Sequence, residues 1–221
     1  MLLYIYTERS VLIIYNMNGC DTLPNIPDAK NRILDAAKKV FADKTYDGSR
    51  INDISELANV PKSLIYYHFK SKDDILDTLI TDFLNEYKLL LQIAEDDTHE
   101  EKANRMTDRL KNHYFDFAVK NIDVVRIMFV ESLKKSNETP SIFKVAEEIV
   151  STETNNKDVD VNERLIAEFF SGVIPLYSYL CFYDKWCGYF NIDRTEFDRL
   201  FLGHFTETHG NYHKNNKNNK N

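Results

Sequence analysis

Glycine and proline are scarce, at six and five residues in a chain of 221. Between Lys62 and Thr139 there is neither. Apolar residues recur there at helical spacing, without the alternation of strands, so the span is read as helical. Cysteine is scarcer still: Cys20, Cys181 and Cys187 are odd in number and lack metal-ligand spacing. A disulfide framework does not fit, and a reducing, cytoplasmic compartment is expected. The six histidines form no ligand set, and His204, His209 and His213 read as surface or tail residues. There is no glycine-rich phosphate loop, nucleophile elbow or framed pair of carboxylates, so no enzyme, metal or cofactor is expected. Basic charge is also missing. The net charge is −7. Residues 28–80 carry nine basic and nine acidic groups, and residues 81–221 carry 18 and 24. Any nucleic-acid contact must therefore come from a basic face rather than a basic domain.

Residues 50–72, RINDISELANVPKSLIYYHFKSK, are the most informative stretch. They read as two short helices joined by a tight turn. Ser49 is a suitable N-cap for the first. Ile51, Ile54, Leu57 and Ala58 recur at helical spacing and are expected to face a small core. Asn59 follows at the turn, where asparagine is among the few residues that readily adopt left-handed backbone angles. Val60 would fill the space between the helices, and Pro61 suits the first position of the second helix. Ile65 and Phe69 would turn inward. Lys62, Ser63, Leu64, Tyr66, Tyr67 and His68 then lie outward or along the rim. Aromatics beside a lysine can touch phosphates, sugars and thymine methyls. Ser71 caps a further helix, with Asp74 completing a capping box. Lys72 sits unfavourably in that helix's first turn, unless an anion such as a DNA phosphate lies against it.

Residues 29–76 resemble the N-terminal domain of the tetracycline-repressor (TetR/AcrR) family. The matching pieces are Ile33-Leu34-Asp35-Ala36-Ala37, Phe41-Ala42, Tyr46, Ile54, Ala58, Val60, Ile65-Tyr66, Phe69 and Ser71-Lys72. Two positions depart from the pattern: Thr45 and Asn59 stand where the family commonly has glycine. The resemblance implies an all-α protein with a three-helix helix-turn-helix domain followed by a helical bundle. It implies a DNA-binding regulator, by default a repressor, with a palindromic double-stranded operator as partner. The residues expected to contact DNA are Ser49, Arg50, Asn52, Lys62, Ser63, Leu64, Tyr66, Tyr67, His68 and Lys72, with Lys70 adding to the basic face. Lys30, Lys38 and Lys39 read as solvated surface. The alternative is a helical protein-interaction adaptor that keeps this fold without binding DNA.

Helices are expected over 29–44, 72–94, 99–119, 122–135, 141–152, 162–187 and 194–206. Residues 163–187 are too apolar for a helix with one face in water. They also carry Ser171, Gly172, Pro175, Ser178 and several tyrosines, which suits a membrane span poorly. The expectation is a helix buried by its own core on one side and by a second subunit on the other, giving a homodimer through the last two helices. By the same resemblance, the middle helices should hold a small, apolar or amphipathic effector. His113, Phe117, Arg126, Phe129, Phe170 and Tyr177 are candidate lining residues, among further aromatics at Tyr114, Phe115, Phe143, Phe169 and Phe182. Asn112 and Glu131 are further orienting groups.

The domain reading is an extension over 1–27, the helix-turn-helix unit over 28–75, the effector and dimer domain over 76–207 and a disordered tail over 208–221. Residues 1–16 are expected to be a flexible arm or mis-assigned upstream sequence, because Met17 offers an alternative start.

Overall fold

The computed structural model describes residues 3–5, 13–15, 28–95, 115–134, 136, 139–152 and 159–212. Two short strands, β1 (Leu3–Ile5) and β2 (Ile13–Tyr15), pair antiparallel with Tyr4 opposite Ile14. The sequence reading did not anticipate this ribbon. Its Leu-Tyr-Ile and Ile-Ile-Tyr segments are of the β-branched and aromatic kind that strands favour. All other regular structure among the described residues is helical.

The helices are α1 (Ala29–Gly48), α2 (Ile51–Ala58), α3 (Lys62–His68), α4 (Lys72–Glu95), α5 (Phe115–Lys120), α6 (Ile122–Ser132) and α7 (Ser141–Thr152). Then come α8 (Val161–Phe190) and α9 (Arg194–Phe205). Helix α8 contains a π-helical turn at Glu168–Val173, and α9 runs on into another at Thr206–Gly210. Of the expected helix over 99–119, only its end falls among the described residues.

Two cores organise these elements. The first joins α1 to α4 through Ile33, Phe41, Ile54, Ile65, Phe69 and Ile75, each at most 3% exposed. The second gathers α4 to α8 around Phe83, Val125, Met128, Val145, Tyr177 and Leu180. Helix α4 serves both: Ile75 and Leu79 lie in the first core, Ile80 and Phe83 in the second. Its apolar face is continuous, so one rigid rod connects the two units.

The C-terminal reading needs correction. His209 is not a surface residue but is 6% exposed. Its ring lies 3.0 Å from Ser171 Oγ and 3.6 Å from the Glu168 carboxylate. A Cβ on Gly172 would come within 2.8 Å of that ring, so glycine is what permits the approach. The two π-helical turns therefore pack on each other, and helical structure continues to Tyr212, past the boundary placed at 207.

Candidate nucleic-acid interface

The α2–turn–α3 unit is built from local rules. Asn59 adopts the left-handed conformation at φ 50°, ψ 52°. The N–H groups of Asn59 and Val60 close the end of α2 by donating to the carbonyls of Glu56 and Ser55. Ser55 Oγ donates to the Val60 carbonyl at 2.6 Å and fixes the turn. Val60 is 6% exposed and Ile65 is fully buried. Pro61 precedes α3 as its cap rather than occupying its first turn. Phe69 is buried just beyond α3, so the helix rests on Ile65 and Phe69 as a floor.

With that floor fixed, the remaining side chains point away. Lys62, Ser63, Tyr66 and Tyr67 are exposed, Tyr67 to 79%. Leu64 and His68 are half-buried, and the His68 ring meets Tyr67 edge-on at 5.0 Å. Arg50 and Asn52 at the start of α2 are exposed. Leu57, expected in the core, is 54% exposed and adds an apolar group to the surface of α2. Helix α2 has only eight residues, and Ile54 and Ala58 alone supply its buried face.

Two expected contact residues turn inward. Ser49 is 4% exposed, and its hydroxyl donates to the carbonyls of Thr45 at 2.5 Å and Val40 at 3.2 Å. It closes the end of α1. Arg50, not Ser49, is the N-cap of α2, and its N–H donates to the Asp53 carboxylate at 3.0 Å. The Lys44 ammonium, 2.9 Å from Asp53, holds that carboxyl below its ordinary range, with help from the Arg50 N–H. Lys72 donates to the carbonyls of Tyr46 at 2.7 Å and Ser49 at 3.1 Å, and its ammonium lies 4.1 Å from the centre of the Tyr46 ring. Two neutral backbone carbonyls thus hold the ammonium in its awkward position within this chain. At the same helix start, Ser71 Oγ accepts from the Asp74 N–H, while the Asp74 carboxylate accepts from the Lys70 N–H.

Tyr46 is the centre of this joint. Its hydroxyl donates to Asp73, and its ring meets Phe41 edge-on at 5.3 Å. Burial, with Asp73 beside it, pushes its phenol pKa well up. Sequence reasoning recognised Tyr46 only as a matching position. Just before it, Thr45 takes φ 62°, ψ 162°, a region in which glycine is at ease and threonine is strained. The kink ends the regular part of α1 near Lys44, where the apolar periodicity placed it.

Five of the six expected effector residues fall among the described residues, and they are spread over separate contacts. His113, with Asn112 and Tyr114, lies outside the described residues, as does the side chain of Phe115. Phe117 packs on Phe83 and Tyr87 at 5.1 and 5.7 Å. Tyr177 is 3% exposed, and burial raises its phenol pKa. Phe129 is half-buried, 6.5 Å from Phe182. Arg126 is half-buried and 4.0 Å from Asp123. Phe170 is 66% exposed and belongs elsewhere, in an aromatic file with Phe169 and Phe143 on the flank of α8. Glu131 is committed to Lys134 at 2.6 Å. One open cleft of about 570 Å³ lies between α1 and α4 beside Asn121, lined by Asp28, Asp35, Asp82 and Glu86. None of the five described residues of that set lines it.

A short helix held on a closed three-helix core, with its outer face polar and aromatic, defines a helix-turn-helix unit. Residues 33–79 match the sequence profile of the "Bacterial regulatory proteins, tetR family". The chain is 33% identical over 91 residues to the "Biofilm operon icaADBC HTH-type negative transcriptional regulator IcaR" of Staphylococcus aureus (strain Newman). That match covers 40% of this chain and 45% of the relative, so the chain spans about half the length of the curated relative. The fold matches the fatty acid degradation regulator FadR from Bacillus halodurans with a TM-score of 0.60 at 18% identity, over 81% of this chain and 95% of that one. It also matches FadR from Bacillus subtilis, solved in complex with stearoyl-CoA, with a TM-score of 0.55 at 17% identity, over 79% and 96%. Residues 33–79 are thus a DNA-binding domain of the tetR-family type, carried on a chain whose overall fold is like that of the two FadR regulators.

Proposed function

We propose that this protein is a sequence-specific DNA-binding transcriptional repressor, acting as a homodimer in the cytoplasm and released from its operator by a small molecule. The observation that carries the reading is α3. Lys62, Ser63, Tyr66 and Tyr67 stand exposed on a buried floor of Ile65 and Phe69. Such a helix presents hydrogen-bonding and apolar groups to base edges in a major groove while Lys62 meets the backbone. The similarity to a negative regulator supports repression as its mode.

The dimer rests on α8. Its first half packs on α7, and Tyr177, Tyr179 and Leu180 enter the second core. Phe182, Trp186, Tyr189 and Phe190 nonetheless remain 48–84% exposed. By length and composition alone α8 could cross a bilayer. Its buried tyrosines, the hydroxyl of Tyr179 donating to Asp198 at 2.5 Å, and its close packing with α9 suit a protein–protein bundle better. A second copy set on this face places two α3 helices to read a palindrome with half-sites about 34–36 Å apart.

The effector is a small apolar or amphipathic compound, and the second core, rich in aromatics, is where it would act. The Bacillus subtilis FadR neighbour is a protein of this fold holding an amphipathic ligand of that broad kind. Effector binding shifts the dimer only by its differential affinity for the DNA-competent and incompetent arrangements. In the second arrangement α4 tilts and the α3 helices leave the one-turn spacing.

Fluorescence anisotropy on the gene's own upstream duplex tests the reading. Binding that weakens steeply with salt, and that Lys62→Ala reduces, supports it. No binding by the wild type favours the adaptor alternative.

A further inference from the structure

Helix α6 shares with α4 the property of entering both cores. Val124, Val125 and Met128 lie in the second, but Ile127 lies in the first, among the residues that floor α3. Ile127, Glu131 and Lys134 follow one another at spacings of four and three, which puts them along one side of the helix. That side lies against the end of α1. Beyond the last turn, the Lys134 ammonium is 2.7 Å from the Asp47 carboxylate and 2.6 Å from that of Glu131. It also lies 5.8 Å from the centre of the Tyr46 ring, the ring that Lys72 approaches from the start of α4.

The DNA-contacting unit is therefore fastened to the C-terminal domain twice, by α4 through continuous chain and by α6 through side chains. We infer that Lys134 is a positioning residue that clamps α6 to the end of α1, so that the orientation of α3 follows α6 as well as α4. The functional consequence rests on the DNA-binding reading above; the clamp itself does not. Two fastenings resist rotation where one allows it. A tilt of α4 alone would drag Tyr46 past Lys134, so the unit can reorient only if α6 moves with it or the clamp opens. The clamp suits such a role because it is shallow. Asp47 is exposed, and a surface ion pair adds little to stability. Opening it should change geometry far more than it changes folding.

The test uses the full chain with Cys20, Cys181 and Cys187 replaced by serine and nitroxide labels at Glu56→Cys on α2 and Glu147→Cys on α7. Labelled chains are diluted into unlabelled protein, so that each distance is measured within one chain. With Lys134 in place, pulsed dipolar spectroscopy should give one narrow distance distribution. Lys134→Met should broaden or shift it, and Lys134→Arg, which keeps the cation, should restore it. On the upstream duplex, Lys134→Met should weaken binding roughly fivefold. An unchanged distribution in Lys134→Met, or equal broadening in Lys134→Arg, overturns the inference. If the wild type binds no duplex, the DNA reading falls, while the distance measurement still decides whether the clamp exists.

Discussion

The α1–α4 unit and the α8–α9 pair use the same materials to different ends. In the first, the core residues from Ile33 to Ile75 are sealed, the helix ends are capped, and the aromatics left in water, Tyr66 and Tyr67, lie on one helix. In the second, Tyr179 stacks on Phe197 and Phe201, at 5.5 and 4.3 Å, yet Phe182, Trp186, Tyr189 and Phe190 stay open on the same helix. The first unit is complete within one chain. Exposure there picks out a few side chains on a finished scaffold. The second leaves an aromatic face open, and exposed aromatics this numerous fit the homodimer proposed above.

Five changes break or sharpen that contrast. The largest effect is expected from Trp186→Glu with Tyr189→Glu. Light scattering should show monomers, and operator affinity should fall by about a hundredfold or more as the two half-sites lose their linkage. A variant that stays dimeric removes α8 from the interface. Next, Ile54→Ala opens a cavity in the sealed core and should cost about 2–5 kcal/mol by denaturant unfolding. A loss much below that range would mean the unit is less closed than described. Third, Tyr67→Ala should cost about 1–3 kcal/mol of specific binding and leave the melting temperature unchanged, since its side chain stands in water. Fourth, Thr45→Gly should raise stability by about 1 kcal/mol, the relief of strain at φ 62° less the entropy of a freer unfolded chain.

The smallest effect is with pH. Hydrogen bonds from Lys134 and Lys44 hold the carboxyls of Asp47 and Asp53, respectively, below their ordinary range. The folded state thus binds these protons less readily than the unfolded state. Their stabilisation is present above about pH 4 and fades as the pH falls toward the lower folded values. Circular dichroism melts of the wild type should fall faster below about pH 4 than those of Asp53→Asn.

Much of the first unit was legible because its signals are local. Asn59 needs only its own backbone angles, and Ile54, Ile65 and Phe69 declare their burial by spacing. Ser49 and Lys72 were misread for a common reason. Both are polar, both sit beside the helix-turn-helix, and each is claimed by backbone carbonyls: Ser49 by those of the helix it closes, Lys72 by those of a turn 23 and 26 residues earlier that no spacing reveals. The same holds for Lys134, which lies 87 residues from Asp47. The expected effector site was the least legible part. Aromatic abundance shows that a core exists but not which rings meet, and Phe170 faces away from the rest. His209 was taken for tail because it lies near the end, while Gly172, its reason for burial, reads in sequence as a helix weakness.

The most direct measurement is hydrogen–deuterium exchange of the full chain with and without the upstream duplex. The account predicts new protection concentrated over residues 50–69, with α8 unchanged. Saturating duplex that leaves 50–69 exchanging as before, or protects α8 instead, would contradict it.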